Sequence, residues 1–258
     1  MRAIVTGGAG FIGSHVVDLL VARGDEVFVL DDLSRGKPEN VNEGAELVVA
    51  DIRDPDAVGE VFGEARPEAC FHLAAQADVR VSVQRPDFDA EVNVLGTLRL
   101  LEAAREHGTR IVFASTGGAI YGECAKPALE SAPRAPLSQY GTSKLAGEEY
   151  LATYNRLYGS EHTSLRFGNV YGPRQDPHGE AGVYNVGTGV ATSVLDLFEA
   201  CGRAAGVEVE PVFDPPRLGE LQRSVLDPGL ATRELGFATT TSFADGITAT
   251  WKFLTNPI

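Results

Sequence analysis

The chain has 258 residues, of which 43% are hydrophobic and 22% are charged, a composition typical of a globular protein with one α/β domain and an appendage. Its formal net charge of −14 argues against nucleic acid as a partner, and no apolar run approaches the ~20 residues that a membrane span needs. The cysteines Cys70, Cys124 and Cys201 have no paired spacing, which predicts a reducing, cytoplasmic location without a disulfide framework or a metal site.

The first 32 residues predict a strand, a glycine turn, a helix and a second strand. The turn carries three glycines, Gly7, Gly10 and Gly13, between the first apolar run and a stretch with helical spacing. Glycines at these places permit the tight turn, the approach of a pyrophosphate and close packing of the helix on the strand. The helix N-terminus would then attract the phosphates through its unpaired N–H groups and partial positive charge.

The second strand ends in an acid, Asp31, 18 positions after Gly13. This is close to the spacing at which a carboxylate meets the ribose hydroxyls of an adenosine, and an anion there repels a 2′-phosphate. The unit therefore predicts NAD rather than NADP, the alternative being a glycine-rich turn in an ordinary α/β domain. The cofactor residues assigned to this unit are Gly7, Gly10, Phe11, Ile12, Gly13 and Asp31.

The third and fourth predicted strands place further residues at the same edge of a parallel sheet. Residues 46–50 predict the third strand, so Asp51 and Ile52 would meet an adenine as an acceptor and an apolar wall. Taken alone, Asp51 would instead cap the next helix. Residues 70–75 predict the fourth strand, whose small side chains, Ala74 among them, would let a cofactor lie against the sheet edge.

Two polar residues near this edge need a separate interpretation. His72 lies within an apolar run, which favours a buried core histidine over a catalytic one. Asn93 lies in the first turns of a helix predicted over 91–107, and the pattern leaves open whether it faces solvent or the sheet.

The residues with reactive chemistry follow the fifth predicted strand, 110–115. Ser115 and Thr116 end this strand, and Tyr140 and Lys144 share one face of a helix that is predicted to run to about residue 158. A phenol with a pKa of about 10 is a poor base at neutral pH, but a nearby ammonium and an oxidised nicotinamide both stabilise the phenolate. Alone, such a pair is more often a solvated helix face. With the nucleotide unit and the strand-end hydroxyls, it suits removal of a carbinol proton as hydride leaves for NAD.

On these residues the chain resembles the extended short-chain dehydrogenase/reductase family of nucleotide-sugar enzymes, and within it the bacterial UDP-glucose 4-epimerases. The matching stretches run nearly from end to end. They are TGGAGFIGSH, LDDLSRGK, ADIRD, HLAAQADVRVS, EVNVLGT, FASTGGAIYGE, YGTSKLAGEEY, LRFGNVYGPRQDPHGEAG, YNVGTG and RLGELQRSVLD.

The resemblance implies tightly held NAD, which takes hydride from C4 of a UDP-hexose and returns it to the other face of a transient 4-keto intermediate. Carried over by motif, Tyr140 is the general base and acid, and Lys144 holds the nicotinamide ribose and tunes the phenol. Thr116, with Ser115 beside it, hydrogen-bonds the sugar oxygen.

The resemblance also assigns residues to the rest of the two ligands. It places Asp31 on the adenosine ribose, Asp51 and Ile52 on the adenine, and Asn93 near the bound cofactor. Asn169 matches a residue that contacts the diphosphate of the nucleotide sugar. Arg217 matches an arginine that pairs with the same diphosphate.

Three other functions stay open or are disfavoured. Sugar-nucleotide 4,6-dehydratases carry Thr-Asp-Glu after the fifth strand, whereas Thr116 is followed by Gly117 and Gly118, so dehydration is disfavoured. UDP-glucuronate epimerases and decarboxylases are not excluded by the matched motifs. A non-catalytic NAD-binding protein is disfavoured by the intact Tyr140 and Lys144 but favoured by a break in the family pattern.

That break lies near 182–183, where the family continues through roughly 40 residues or more of helix and strand and this chain runs directly into the YNVGTG strand. The segment supplies uridine contacts and a second diphosphate arginine in the family. Either the protein lacks it, or the sequence skips residues that the protein has, and the intact motifs on both sides favour the second alternative.

We therefore expect an α/β protein with a Rossmann doubly wound parallel sheet and a smaller C-terminal substrate-binding part. Residues 1–168 would form the NAD-binding domain, to which a strand at 183–188 returns, and 169–258 the substrate-binding part. In the latter, the pattern predicts a helix capped by Thr192 or Ser193, a small strand at 207–213 and a last helix at 242–254. By resemblance, helices starting near 91 and 140 would form a homodimer.

Overall fold

The computed structural model describes residues 1–174, 187–213 and 223–255. Its centre is a six-stranded parallel sheet with the order β3-β2-β1-β4-β5-β6. The strands are β1 (Arg2–Thr6), β2 (Glu26–Asp31), β3 (Ala45–Val49), β4 (Ala69–His72), β5 (Arg110–Thr116) and β6 (Thr163–Phe167). Because the order reverses at β1, the sheet is doubly wound, and the predicted Rossmann fold class is confirmed.

Helices cover both faces of the sheet and continue into the C-terminal part. They are α1 (Phe11–Ala22), α2 (Pro55–Ala65), α3 (Val79–Gln84), α4 (Pro86–Ala90), α5 (Thr97–His107), α6 (Gly117–Ile120), α7 (Gln139–Tyr158), α8 (Val194–Ala205), α9 (Gly229–Leu235) and α10 (Phe243–Thr255). A short 3₁₀ turn spans Pro38–Asn40, and a π-helical segment, Glu91–Gly96, joins α4 to α5.

Strand alternation divides the buried apolar residues into two cores. Ile4 and Leu30 face a cluster with side chains of α2, α5 and α7, whereas Val5 and Val29 face a second cluster with Val17 of α1. Strands buried on both faces need near-continuous apolar sequence, which is why β1 and β2 were recognisable from their residues alone.

Side-chain caps set where several helices begin. Asp54 accepts hydrogen bonds from the N–H groups of Asp56 and Ala57 and caps α2, so the interpretation of Asp51 as this cap is wrong. Asp51 instead lies three residues before the cap, and its carbonyl accepts the Asp54 N–H. Ser193 caps α8 in a reciprocal pair with Asp196, as one of the two predicted caps.

The C-terminal part differs from its predicted elements in one place. Residues 207–213 are not in a strand, and Val209, Val212 and Phe213 are exposed. An alternating pattern needs a neighbouring strand to satisfy its backbone, and the described residues place none beside this segment. The predicted strand at 183–188 lies largely outside the described residues, and its described end, 187–188, is not in a strand.

Contacts at Leu226 and Tyr171 are among those that connect the last segments of the chain to the sheet. Leu226 pairs with Ala128 in an isolated parallel bridge and packs against Gly117 at the end of β5. Tyr171, after β6, packs edge-on against Phe243 at the start of α10, with ring centroids 5.8 Å apart. Within the described residues, no helix has both the length and the apolar character for crossing a membrane.

Candidate active site

The glycine turn lies where the sheet order reverses, between the ends of β1 and β4. Gly7 has a positive φ of 69°, and a Cβ there would lie 2.7 Å from the backbone nitrogen of Ala74. A Cβ on Gly13 would overlap the carbonyl oxygen of Gly7. No side chain caps the N-terminus of α1 at Gly10, so its first N–H groups are available to a ligand. At Gly7 and Gly13 there is no room for a side chain, so backbone can approach a pyrophosphate closely here.

Asp31 ends β2 beside this turn. Its carboxylate is buried and accepts hydrogen bonds from the N–H groups of Ala9 (3.0 Å) and Leu33 (2.9 Å). Burial raises the pKa of Asp31 despite these two bonds. Because each carboxylate oxygen has two lone pairs, both oxygens keep acceptor capacity for a ribose diol.

Asp51 and Ile52 follow β3 at the same edge of the sheet. Arg53 forms a 2.6 Å ion pair with Asp51 and holds the pKa of that carboxyl below its usual value. Ile52 is buried, and its side chain fills the space beside Gly96. The acceptor and the apolar wall are thus both present at the strand end, while their contact with adenine stays a prediction.

His72 is a core histidine, as its apolar surroundings predict. Its two ring nitrogens lie 2.8 Å from the Thr6 hydroxyl and 3.0 Å from the Thr97 hydroxyl. Burial, and then the Lys144 charge, lowers the pKa of His72 to about 3, so the ring is neutral at physiological pH. A fixed, neutral ring between two hydroxyls ties β1 and α5 to β4.

Tyr140 and Lys144 lie on the first turns of α7, whose cap is Ser138. Both side chains are buried, with 1% and 3% of their surface exposed, so they do not form a solvated helix face. The Lys144 ammonium donates to the carbonyl oxygen of Ala114 at 2.8 Å and lies 4.8 Å from the centre of the Phe113 ring. Burial lowers the pKa of Lys144 to about 8, and the nearby Asp89 carboxylate opposes this shift.

Asn93 faces the protein interior, which answers the question that the sequence left open. Its side chain exchanges hydrogen bonds with the backbone of Gln76, at 2.9 Å each way, and donates to Ser143 of α7 at 3.2 Å. Asp89 and the Gln76 side chain complete this buried cluster, and sequence reasoning missed both. The sequence feature that could have linked Asp89 to Asn93 is their four-residue spacing, which places both side chains on one helix face.

Ser115 and Thr116 at the end of β5 are fully buried, and neither hydroxyl has a hydrogen-bond partner. Successive strand residues point to opposite faces, so Ser115 shares the face of Phe113 and Lys144 whereas Thr116 faces the other way. An unpaired buried hydroxyl is costly. Two of them at the end of β5, of which Ser115 is on the Lys144 face, point to a ligand that supplies the missing partner.

The two predicted diphosphate residues have different outcomes. Asn169 follows β6 and is exposed, and a Cβ on Gly118 would lie 3.2 Å from its side-chain oxygen and 3.8 Å from the Thr116 hydroxyl. The structure thus brings Asn169 to the same neighbourhood as the Thr116 hydroxyl. Arg217 lies outside the described residues.

Comparison with known proteins gives the family. Residues 3–199 match the NAD dependent epimerase/dehydratase family. The UDP-glucose 4-epimerase of Mycolicibacterium smegmatis is 43% identical over 311 aligned positions, which cover 99% of each chain. The chain belongs to the NAD-dependent epimerase/dehydratase family, as its motifs predict.

Two solved structures resemble the whole fold. A crystal structure of the Thermus thermophilus UDP-glucose 4-epimerase in complex with NAD superposes with a TM-score of 0.95, at 42% identity and full coverage of both chains. The Thermotoga maritima UDP-glucose 4-epimerase with UDP-glucose superposes with a TM-score of 0.95, at 39% identity and 99% coverage of both. The predicted cofactor class is confirmed by the family, and the glycine cradle and the unpaired hydroxyls fit such a dinucleotide.

Proposed function

We propose that the chain is an NAD-dependent 4-epimerase that interconverts UDP-glucose and UDP-galactose, an isomerase of galactose metabolism. The buried Tyr140–Lys144 pair carries this proposal, together with the unpaired hydroxyls at the end of β5, because a phenol tuned by an ammonium can take the proton of a sugar carbinol. The names of the relatives and the UDP-glucose bound to the Thermotoga protein support the same substrate class.

When bound, NAD would supply the acceptor and then the donor of the hydride at C4 of the sugar. The Tyr140 phenolate takes the O4 proton as the hydride leaves, which yields a 4-keto sugar. When the hydride returns to the other face, Tyr140 donates the proton back to O4, so the cycle is redox-neutral. Lys144 stabilises the phenolate by its charge and would bind the nicotinamide ribose.

The remaining site residues divide between the two ligands. Thr116 or Ser115 would donate to O4 of the sugar, with Asn169 and Arg217 on the diphosphate of the sugar nucleotide. NAD would lie along the glycine turn and the sheet edge. Its contacts in this proposal are Gly7, Gly10, Phe11, Ile12, Gly13, Asp31, Asp51, Ile52, Ala74, Asn93, Tyr140 and Lys144.

The direct test is to incubate the NAD-loaded protein with UDP-galactose and to follow UDP-glucose by proton NMR. Conversion in both directions supports the proposal. Turnover of UDP-glucuronate alone would point to the glucuronate epimerases and decarboxylases instead. Tight NAD binding without affinity for any UDP-sugar in calorimetry would support a non-catalytic NAD-binding protein.

We also propose that the natural chain carries the family segment near 182–183, between a NAD-binding domain over 1–168 and the C-terminal substrate-binding part. The alignment with the Mycolicibacterium relative extends over 311 positions against 258 residues, so at least 53 positions have no counterpart in this sequence. Apolar side chains exposed on the C-terminal part support the same view, since many exposed apolar side chains in one region normally mark a surface that another segment or molecule covers. They include Val190, Val194, Val207, Val209, Val212 and Phe213.

Two further proposals concern assembly and location. A homodimer through the helices that start near 91 and 140 follows from the family resemblance, and sedimentation that shows only monomer at micromolar protein would remove it. A cytoplasmic location is supported by Cys70, Cys124 and Cys201, which are all free thiols.

A further inference from the structure

We propose that Asp89 is a positioning residue of this site, whose buried carboxylate keeps Lys144 protonated and holds Asn93 and Ser143 against the start of α7. The inference rests on the proposed function for its catalytic meaning. The effect of Asp89 on the pKa of Lys144 is a property of the protein alone, so it can be measured without enzyme turnover.

The carboxylate of Asp89 is part of a continuous buried hydrogen-bond chain. Its Oδ1 atom accepts from the Gln76 side chain at 3.0 Å and from the Asn93 side chain at 3.1 Å. The Asn93 amide nitrogen also lies 3.2 Å from the Ser143 hydroxyl oxygen, which in turn lies 3.0 Å from the carbonyl oxygen of Tyr140. The chain therefore runs from α4 to the backbone of the proposed catalytic tyrosine.

The local helix geometry places these side chains together. Asp89 is in the last turn of α4, and Asn93 lies four residues later in the π-helical segment. π-helical turns are rare in proteins overall, and those that occur inside α-helices are often found at functional sites. Asp89 is 1% exposed, so its carboxylate is largely removed from water.

The charge of Asp89 has no direct counter-ion. Among the described residues, no cation lies within ion-pair distance of its carboxylate, and the interactions that oppose burial come from neutral donors and from the Lys144 ammonium. Burial raises the pKa of Asp89, while the Ser143 and Gln76 bonds and the Lys144 charge lower it. The reciprocal effect raises the pKa of Lys144 against its own burial.

Other titratable groups around Lys144 are already engaged. Glu148 on α7 forms a buried 3.1 Å ion pair with Arg166 of β6. Asp78, at the start of α3, pairs with Arg80 at 2.8 Å. His72 on β4 is neutral at physiological pH, and the Tyr140 phenol is the group that Lys144 itself is proposed to tune. Among the described residues, Asp89 is the anion whose charge raises the pKa of Lys144.

The test removes this charge with little change of shape. In D89N the amide oxygen can still accept from Gln76 and Asn93, whereas the negative charge is gone. We expect Lys144 to titrate near pH 8 in the wild type and at a lower pH in D89N. D87N, on the exposed side of the same helix, should match the wild type.

The measurement is an NMR titration of the side-chain Cε–Hε signals in [¹³C]lysine-labelled protein. The chain has four lysines, Lys37, Lys126, Lys144 and Lys252, and the Lys144 signal is the one that K144R lacks. Equal Lys144 titration in D89N and wild type overturns the proposal. Should D89N not fold, the Asp89 Cγ shift of [¹³C]aspartate-labelled wild type decides, since a neutral carboxyl at pH 7 overturns it as well.

Turnover then separates this inference from the proposed function. In an active enzyme, D89N should move the alkaline limb of kcat to lower pH, with KM little changed. A uniform loss at every pH would instead mean a merely structural role and would overturn the inference. If Lys144 shifts as expected but the wild type converts no UDP-hexose, the electrostatic inference stands and the proposed function fails.

Discussion

The Nζ atom of Lys144 donates a hydrogen bond to the carbonyl oxygen of Ala114, 2.8 Å away. Ala114 immediately precedes Ser115, so this bond fixes the start of α7 against the end of β5. It also places the ammonium on the strand that carries both unpaired hydroxyls. This bond is therefore one of the contacts that set the position of the proposed base relative to the end of β5.

Replacement of Tyr140 by phenylalanine removes the proposed base and leaves the ring in its buried site. We expect kcat for UDP-galactose to fall by several orders of magnitude, because the carbinol proton has no acceptor. NAD should stay bound, as measured by its fluorescence after reduction. Y150F, an exposed tyrosine on the same helix, serves as the control. Near-normal turnover in Y140F would refute the assigned base.

Lys144 predicts the pH dependence of activity. Burial lowers the pKa of Lys144 to about 8, so the ammonium is present below that pH and is lost as pH rises through it. Because the ammonium is proposed to stabilise the Tyr140 phenolate, we expect kcat to fall on the alkaline side with an apparent pKa at or below about 8. The pH–rate profile of the wild type checks this prediction. K252M, which changes an exposed lysine, serves as the control and should give the same profile. Activity that stays flat to pH 10 would contradict it.

Thr116→Val and Ser115→Ala separate the two strand-end hydroxyls. Because strand alternation turns them to opposite faces, we expect only one substitution to lower kcat, by about 10²-fold for a lost transition-state hydrogen bond. Neither should lower the melting temperature much, since each removes a buried hydroxyl that lacks a partner in the protein. Equal kcat losses in both variants would contradict a single donor to O4.

Gly13→Ala tests the backbone cradle. The added Cβ would overlap the Gly7 carbonyl oxygen, and overpacking of this kind costs about 1–3 kcal/mol of unfolding free energy. We expect weaker NAD binding in calorimetry together with this loss in urea unfolding. Gly59→Ala in α2 meets nothing within 4 Å and should leave NAD affinity unchanged while stabilising the helix by up to about 1 kcal/mol. Unchanged NAD affinity in G13A would contradict the cradle.

The proposed segment near 182–183 predicts the mass of the natural protein. Intact-mass spectrometry of the protein from its own source should give a value larger than 258 residues account for, by at least 53 residues. A mass that matches 258 residues would show a true deletion. In that case we expect NAD binding without efficient sugar turnover, because the NAD residues precede the break.

The sequence by itself determined the features that depend on short spacing. Three glycines between strand and helix, and Tyr140 four residues before Lys144, follow from turn and helix geometry, so their local arrangement was readable before any fold was known. The apolar runs of β1 and β2 were equally plain, because both of their faces are buried.

Tertiary structure alone decided which distant groups meet. Ser143 lies 50 positions after Asn93, and only the packing of α7 on the π-helical segment makes them partners. The same holds for the unpaired hydroxyls of Ser115 and Thr116, since a missing partner is a property of all surrounding atoms. Residues 207–213 show the converse, because an alternating pattern becomes a strand only when another strand satisfies its backbone.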